Sequence, residues 1–172
     1  MSSVEGLFRR PVVGMAGERV NALRLDGRGV GGDRIHAVVA DGRRLETLPG
    51  WHAGYPFNLD AGLDPAHPPL AIVTAPDGHR YRWGDPRLRA ALERHLGRPV
   101  ELVRDVETAR PVDLTATVQL DLAPPDGAVL RFAGGVRLLM IHGSGRALTG
   151  GRIAVGEAVE LLHASGSGAT GR

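Results

Sequence analysis

Gly27-x-Gly29-x-x-Gly32 has the spacing of a dinucleotide-binding loop. Such a loop works by aiming the N–H groups of a helix N-terminus at a pyrophosphate, so a strand must precede the glycines and a helix must follow. Here they run into Ile35-His36-Ala37-Val38-Val39-Ala40, a β-branched stretch that stops at Asp41-Gly42. Asp-Gly between two extended runs is a strong hairpin signal. The glycines therefore lead into a strand, and the nucleotide reading fails on its context.

Two side chains offer acid–base chemistry. His142 follows the apolar run Val136–Ile141 and precedes Gly143-Ser144-Gly145, which puts an imidazole at the rim of a strand-built fold. The plainer reading is a half-exposed histidine at a strand end. The segment is no nucleophile elbow, since Gly-x-Ser-x-Gly needs glycine where His142 and Arg146 stand. Asp113 lies in an apolar stretch, where a carboxyl with a raised pKa suits proton transfer. Strand alternation gives it a plainer role as an outward-facing residue, with Val112, Leu114 and Ala116 turned the other way.

Trp51, His52, Tyr55 and Phe57 gather in one long connection. Aromatics there either cover a ligand, with Trp51 and Tyr55 as contacts, or plug one end of a barrel. His36, His52, His67 and His79 stand in turn and hairpin contexts that favour solvent, and no His-x-His or His-x₃-His pair occurs. With no cysteine there is no disulfide, thiolate metal site or thiol nucleophile, and no metal site is expected. Every one of the 21 basic residues is arginine, so a lysine Schiff base is excluded.

Short β-like runs must position these groups: Val4–Phe8, Arg19–Leu25, Ile35–Ala40, Arg43–Thr47, Leu70–Thr74, His79–Trp83, Val100–Val103, Ala128–Phe132, Val136–Ile141, Arg152–Val155 and Ala158–His163. Residues 48–69 read as a long surface loop. One helix is well signalled over 85–97, with Asp85 as N-cap, Pro86 at the first position and Gly97 as the stop. Its apolar face carries Leu88, Ala91, Leu92, His95 and Leu96. Leu114–Leu122 fits a strand or a short second helix. The pattern predicts a mainly β fold with some helix, a mixed β-barrel forming one domain over 1–164, and a flexible tail over 165–172.

The sequence pI of about 9.9 accompanies a formal charge of only +2, and aromatics make up 4%. The arginines are scattered rather than gathered on one face, so no nucleic-acid partner is expected. No apolar run approaches the ~18 residues that span a bilayer, and MSSVEGLFRR lacks a secretory apolar region. No membrane association and a cytoplasmic location are the expectations.

Several segments together resemble the MOSC-domain family, the molybdenum-cofactor sulfurase C-terminal proteins. LFRRPVVGMAGERV (7–20) is similar to that family's opening, and GVGGDRIHAVVADGRRLET (29–47) to its Gly-Asp-Arg segment and following hairpin. DGHRYRWGDPRLRAALERHLGRPVELVRD (77–105), PVDLTATVQL (111–120) and GGRIAVGEAVELL (150–162) continue the likeness in order. The resemblance implies a MOSC-like barrel in which Gly29, Gly31, Gly32, Asp33 and Arg34 form a tight corner. In that corner Asp33 would accept backbone N–H groups, and Arg34 either serves as an anion ligand or is tied to Asp33, Glu18 or a backbone carbonyl as a corner brace.

It also implies a molybdenum cofactor, but most of that ligand set is missing. Val13-Gly14 replaces Lys-Ser, Thr117 and Gln119 stand at the middle pair, and Asp113 replaces a histidine. Phe132-Ala133-Gly134-Gly135 lacks the arginine and asparagine of Phe-Arg-Pro-Asn, and the cysteine position falls near Gly168 or Ala169. A molybdenum–thiolate bond or a persulfide needs sulfur. The expectation is therefore a repurposed, metal-independent enzyme without cofactor, acting on an anionic small molecule. Arg34 and Thr117 would bind that molecule, and Asp113 or His142 would move protons. The alternatives are a non-catalytic partner subunit or homodimer, and a surviving molybdenum-cofactor role as sulfur carrier or oxidoreductase.

Overall fold

Asp85 accepts a hydrogen bond from the Arg87 N–H at 2.8 Å, Pro86 occupies the first helical position, and Gly97 closes the helix in the left-handed region at φ 68°. These three local choices bound the helix at the predicted place. The computed structural model describes residues 2–56, 63–114 and 116–162. The predicted tail over 165–172, and with it Phe57, Gly168 and Ala169, lies outside those residues.

Strands make up most of the remainder. The chain opens with β1 (Ser2–Arg9), β2 (Glu18–Val20), β3 (Ala22–Asp26) and β4 (Gly29–Val30). Next come β5 (His36–Ala40), β6 (Arg43–Arg44), β7 (His52–Gly54), β8 (Ile72–Thr74) and β9 (Arg80–Arg82). The helix α1 (Pro86–Leu96) separates these from β10 (Glu101–Arg104), β11 (Val112–Asp113) and β12 (Val118–Leu120). β13 (Val129–Phe132), β14 (Arg137–Ile141), β15 (Ser144–Thr149), β16 (Gly151–Ala154) and β17 (Ala158–Leu162) complete the order.

The protein is mainly β with one helix among the described residues, and its largest sheet curls into a half-barrel. That sheet has eight strands in the order β11-β15-β14-β13-β17-β1-β12, with β2 also paired to β1. Three smaller antiparallel sheets accompany it: β10-β5-β6, β16-β3-β4 and β7-β8-β9. The apolar residues form two cores. One gathers Val38, Trp51, Val73, Trp83, Leu88 and Leu92 around α1. The other gathers Leu7, Leu23, Leu130, Phe132, Leu138 and Ile153 beneath the curled sheet.

Three sequence expectations need correction. Of the two readings of Leu114–Leu122 the strand is the one that forms, at Val118–Leu120 after a turn, and the short second helix is absent among the described residues. The connection over 48–69 is not all loop, because His52–Gly54 pairs with β8. The run after Asp41-Gly42 forms strand only at Arg43–Arg44. β15 was not anticipated, since glycine at Gly145 interrupts its alternation. It follows from the consecutive positive φ angles of His142 (49°) and Gly143 (75°), which make a tight hairpin turn out of β14.

Candidate functional site: the glycine corner and the adjacent cleft

The glycines at 29–32 do enter strand-bounded backbone, as β4 and then a turn into β5. Asp33 is 2% exposed, and its Oδ1 accepts the Arg10 N–H at 2.7 Å. The Arg34 N–H donates to the Arg10 carbonyl at 2.6 Å, so the end of β1 is stitched to this corner from both sides. The Arg34 backbone is in the left-handed region, at φ 54°. Its Nε donates to Asp33 Oδ2 at 2.7 Å and its Nη2 to the Pro111 carbonyl at 2.6 Å. The side chain is 26% exposed. This geometry is that of a brace joining the corner to the segment before β11.

Behind the corner lies a buried polar network. Arg9 is 2% exposed and gives its Nε and Nη2 to Glu18 Oε1 at 2.9 and 2.7 Å. Its guanidinium stacks 4.9 Å from the centre of the Tyr55 ring. The Tyr55 hydroxyl donates to the Gly32 carbonyl at 2.6 Å, and burial holds the phenol pKa well above its usual range. Gly32 sits at φ 75°, and a Cβ there would stand 2.8 Å from the Tyr55 ring, so glycine is required. Arg9 ends the strand that carries Leu7 of one core and stacks on Tyr55 of the other, so this contact joins the two.

His36 was expected to face solvent and instead is fully buried, a correction with a packing cause. It lies on β5 with its ring edge against Trp83, centroids 4.9 Å apart. Nδ1 lies 3.0 Å from the Pro11 carbonyl, an acceptor, so Nδ1 carries the proton. Nε2 has no partner among the described residues. Burial pushes the pKa down to about 4, and His36 is neutral near pH 7.

The other predicted site residues are dispersed. Asp113 places Oδ2 3.4 Å from Arg10 Nη2, while its Oδ1 accepts the Ala116 N–H at 2.9 Å, so the carboxylate caps a turn. Thr117 is fully buried, and its Oγ1 lacks a partner among the described residues. Trp51 is a member of the helix-side core, packed edge-on against His95 at 5.6 Å. His142 is 92% exposed at the β14–β15 turn, its Nδ1 3.5 Å from Asp126 Oδ2. Asp113 and His142 thus face different partners.

Beside the Arg34 brace lies a cavity of about 340 Å³, lined by Gly27, Gly29, Ala109, Arg110, Pro111, Ile141, His142, Ser144, Arg146 and Ala147. Pro111 is the residue whose carbonyl Arg34 holds. Arg110 is committed to the Thr108 and Asp105 carbonyls at 2.7 and 2.9 Å, and burial lowers its pKa. Arg146 is exposed and has no ion-pair or hydrogen-bond partner among the described residues. The cleft therefore offers one free guanidinium, an imidazole and a hydroxyl over an apolar floor of Ala109, Pro111, Ile141 and Ala147. A larger hollow of about 750 Å³ runs along β13 and β17, but its charged pair, Arg131 and Glu160, is satisfied internally.

Arg146 and Arg110 were not candidates in the sequence. Once β15 is recognised, the alternation Ser144, Arg146 along it points to one face. Arg110 carries no pattern at all and reaches the cleft only through tertiary packing. Among the described residues no group of three or more His, Asp or Glu side chains is placed to hold a metal ion, and no helix is long and apolar enough to cross a membrane. No protein-family model matches this chain, and no curated protein or solved structure shows a significant similarity to it.

Proposed function

We propose that this chain is a repurposed MOSC-like barrel that binds a small anionic molecule in the cleft at the β14–β15 turn and acts on it by acid–base chemistry. The observation that carries the reading is the unpaired Arg146 guanidinium over an apolar floor, with His142 and Ser144 on the same cavity. Arg146 takes the anionic group through its planar fork of donors. His142 moves the proton: with Nδ1 turned toward Asp126, Nε2 is left for the ligand. Arg34 acts behind the site, holding Pro111 at its rim, and Asp113 acts further back through Arg10.

The residues at the resemblance's cofactor positions do not fit an anionic molybdenum cofactor. Val13 is buried, a Cβ at Gly14 would stand 2.9 Å from the Glu46–Thr47 backbone, and Arg34 is committed to Asp33 and Pro111.

Thermal melts with a panel of small carboxylates test the proposal. An anion that raises the wild-type Tm above a chloride control, but not that of Arg146→Gln, supports it; no rise with any member counts against it. A second reading, a partner subunit, is favoured by Ile141 and Leu148, which are 41% and 47% exposed on the same hairpin. Light scattering separates the two, because a monomer in solution that binds carboxylates has no need of the partner.

A further inference from the structure

We propose that the outer face of β3 and β16 binds a phosphate monoester dianion between Arg24 and Arg152. These residues stand directly opposite one another on the antiparallel ladder, which sets their Cβ atoms about 4.5–5.5 Å apart. Both are exposed, and neither guanidinium has a hydrogen-bond or ion-pair partner among the described residues. Like charges directly opposed weaken a sheet.

The same opposition occurs once more, at Arg131 and Arg137 on β13 and β14, and there the chain relieves it. Glu160 stands opposite Arg131 on β17 and forms an ion pair with it. At Arg24 the neighbour on the other side is Gly31, whose N–H donates to the Arg24 carbonyl at 2.9 Å and which brings no side chain. Nearby acids are engaged elsewhere. Asp26 accepts from the Arg28 N–H and guanidinium at 2.7 and 2.8 Å, and Glu157 accepts from the Ala154 N–H at 2.9 Å. Asp64 is held by the Ala66 N–H and by His67, and Arg24 attracts its carboxylate without a hydrogen bond or ion pair to it.

A repulsive pair in which neither guanidinium forms an internal ion pair is matched by an external charge of −2. Two guanidinium forks side by side fit the three terminal oxygens of one phosphate group. A single carboxylate would leave half the charge unmatched. A polymer of phosphates needs a track of cations, whereas Asp26 and Glu157 flank this pair. The site uses none of the residues that line the cleft and does not rest on the proposal made for it.

Inorganic phosphate at pH 8, where the dianion dominates, tests the inference on the full chain. Arginine Nε–Hε and backbone amide NMR signals of residues 24 and 152 should shift saturably, and chloride at equal ionic strength should leave them in place. Arg24→Gln or Arg152→Gln should weaken binding by about tenfold or more, the effect of losing a charged hydrogen-bonding partner. In chloride each variant should melt at or above the wild-type Tm, because the repulsion is gone. Shifts spread evenly over the exposed arginines, unchanged affinity in both variants, or a variant melting well below wild type in chloride would each overturn it.

Discussion

Acidification from pH 7.5 toward pH 4 should destabilise this protein by about 3 kcal/mol through His36 alone. In the fold, burial pushes the imidazole pKa from 6.5 down to about 4. That gap of about 2.5 units is worth about 1.4 kcal/mol per unit, and at the folded-state pKa the folded form is half protonated. The unfolded chain binds more protons than the folded one between these two values. The stability is therefore complete above pH 6.5 and lost as the pH falls through the window toward 4. Urea unfolding of wild type and His36→Gln at intervals across that range measures it. The variant starts less stable, having lost the contact with Trp83, but its stability relative to wild type should rise by about 3 kcal/mol on acidification. Parallel pH profiles for the two proteins would refute the reasoning.

Arg34→Met removes the donors to Asp33 and Pro111 and should cost about 1–3 kcal/mol in urea unfolding, with ligand binding weakened only through a displaced rim. Tyr55→Phe leaves the buried Gly32 carbonyl without its hydroxyl donor and should cost about 1–3 kcal/mol by the same assay. Gly32→Ala combines a left-handed backbone with a Cβ 2.8 Å from the Tyr55 ring, and about 3 kcal/mol or more should be lost in thermal or urea unfolding.

The helix and two of the hairpins were legible because their signals are local. Asp85, Pro86 and Gly97 need no tertiary context, and Asp41-Gly42 needs only two flanking strands. His142-Gly143 makes the same kind of turn, but histidine is a weaker signal for positive φ than asparagine or aspartate, and β15 went unseen with it. The site was less legible for a different reason. Arg34, Arg9 and Arg110 are alike in sequence, yet tertiary partners make the first a brace, the second a buried ion pair and the third a wall of the cleft. His36 shows the same limit, since a histidine beside a turn signal is buried only because Trp83 and Pro11 come to it from elsewhere in the chain. Nothing local to Arg146 distinguishes an unpaired arginine from a paired one.

The cleft at the β14–β15 turn is tested most directly by titrating ¹⁵N-labelled protein with benzoate, a carboxylate on an apolar ring that suits an unpaired guanidinium over Ala109, Pro111 and Ile141. The proposal predicts saturable shifts confined to Gly27, Gly29, Arg110 and the stretch Ile141–Ala147, all abolished by Arg146→Gln. Shifts elsewhere on the surface, or a benzoate affinity unchanged in Arg146→Gln, would contradict it.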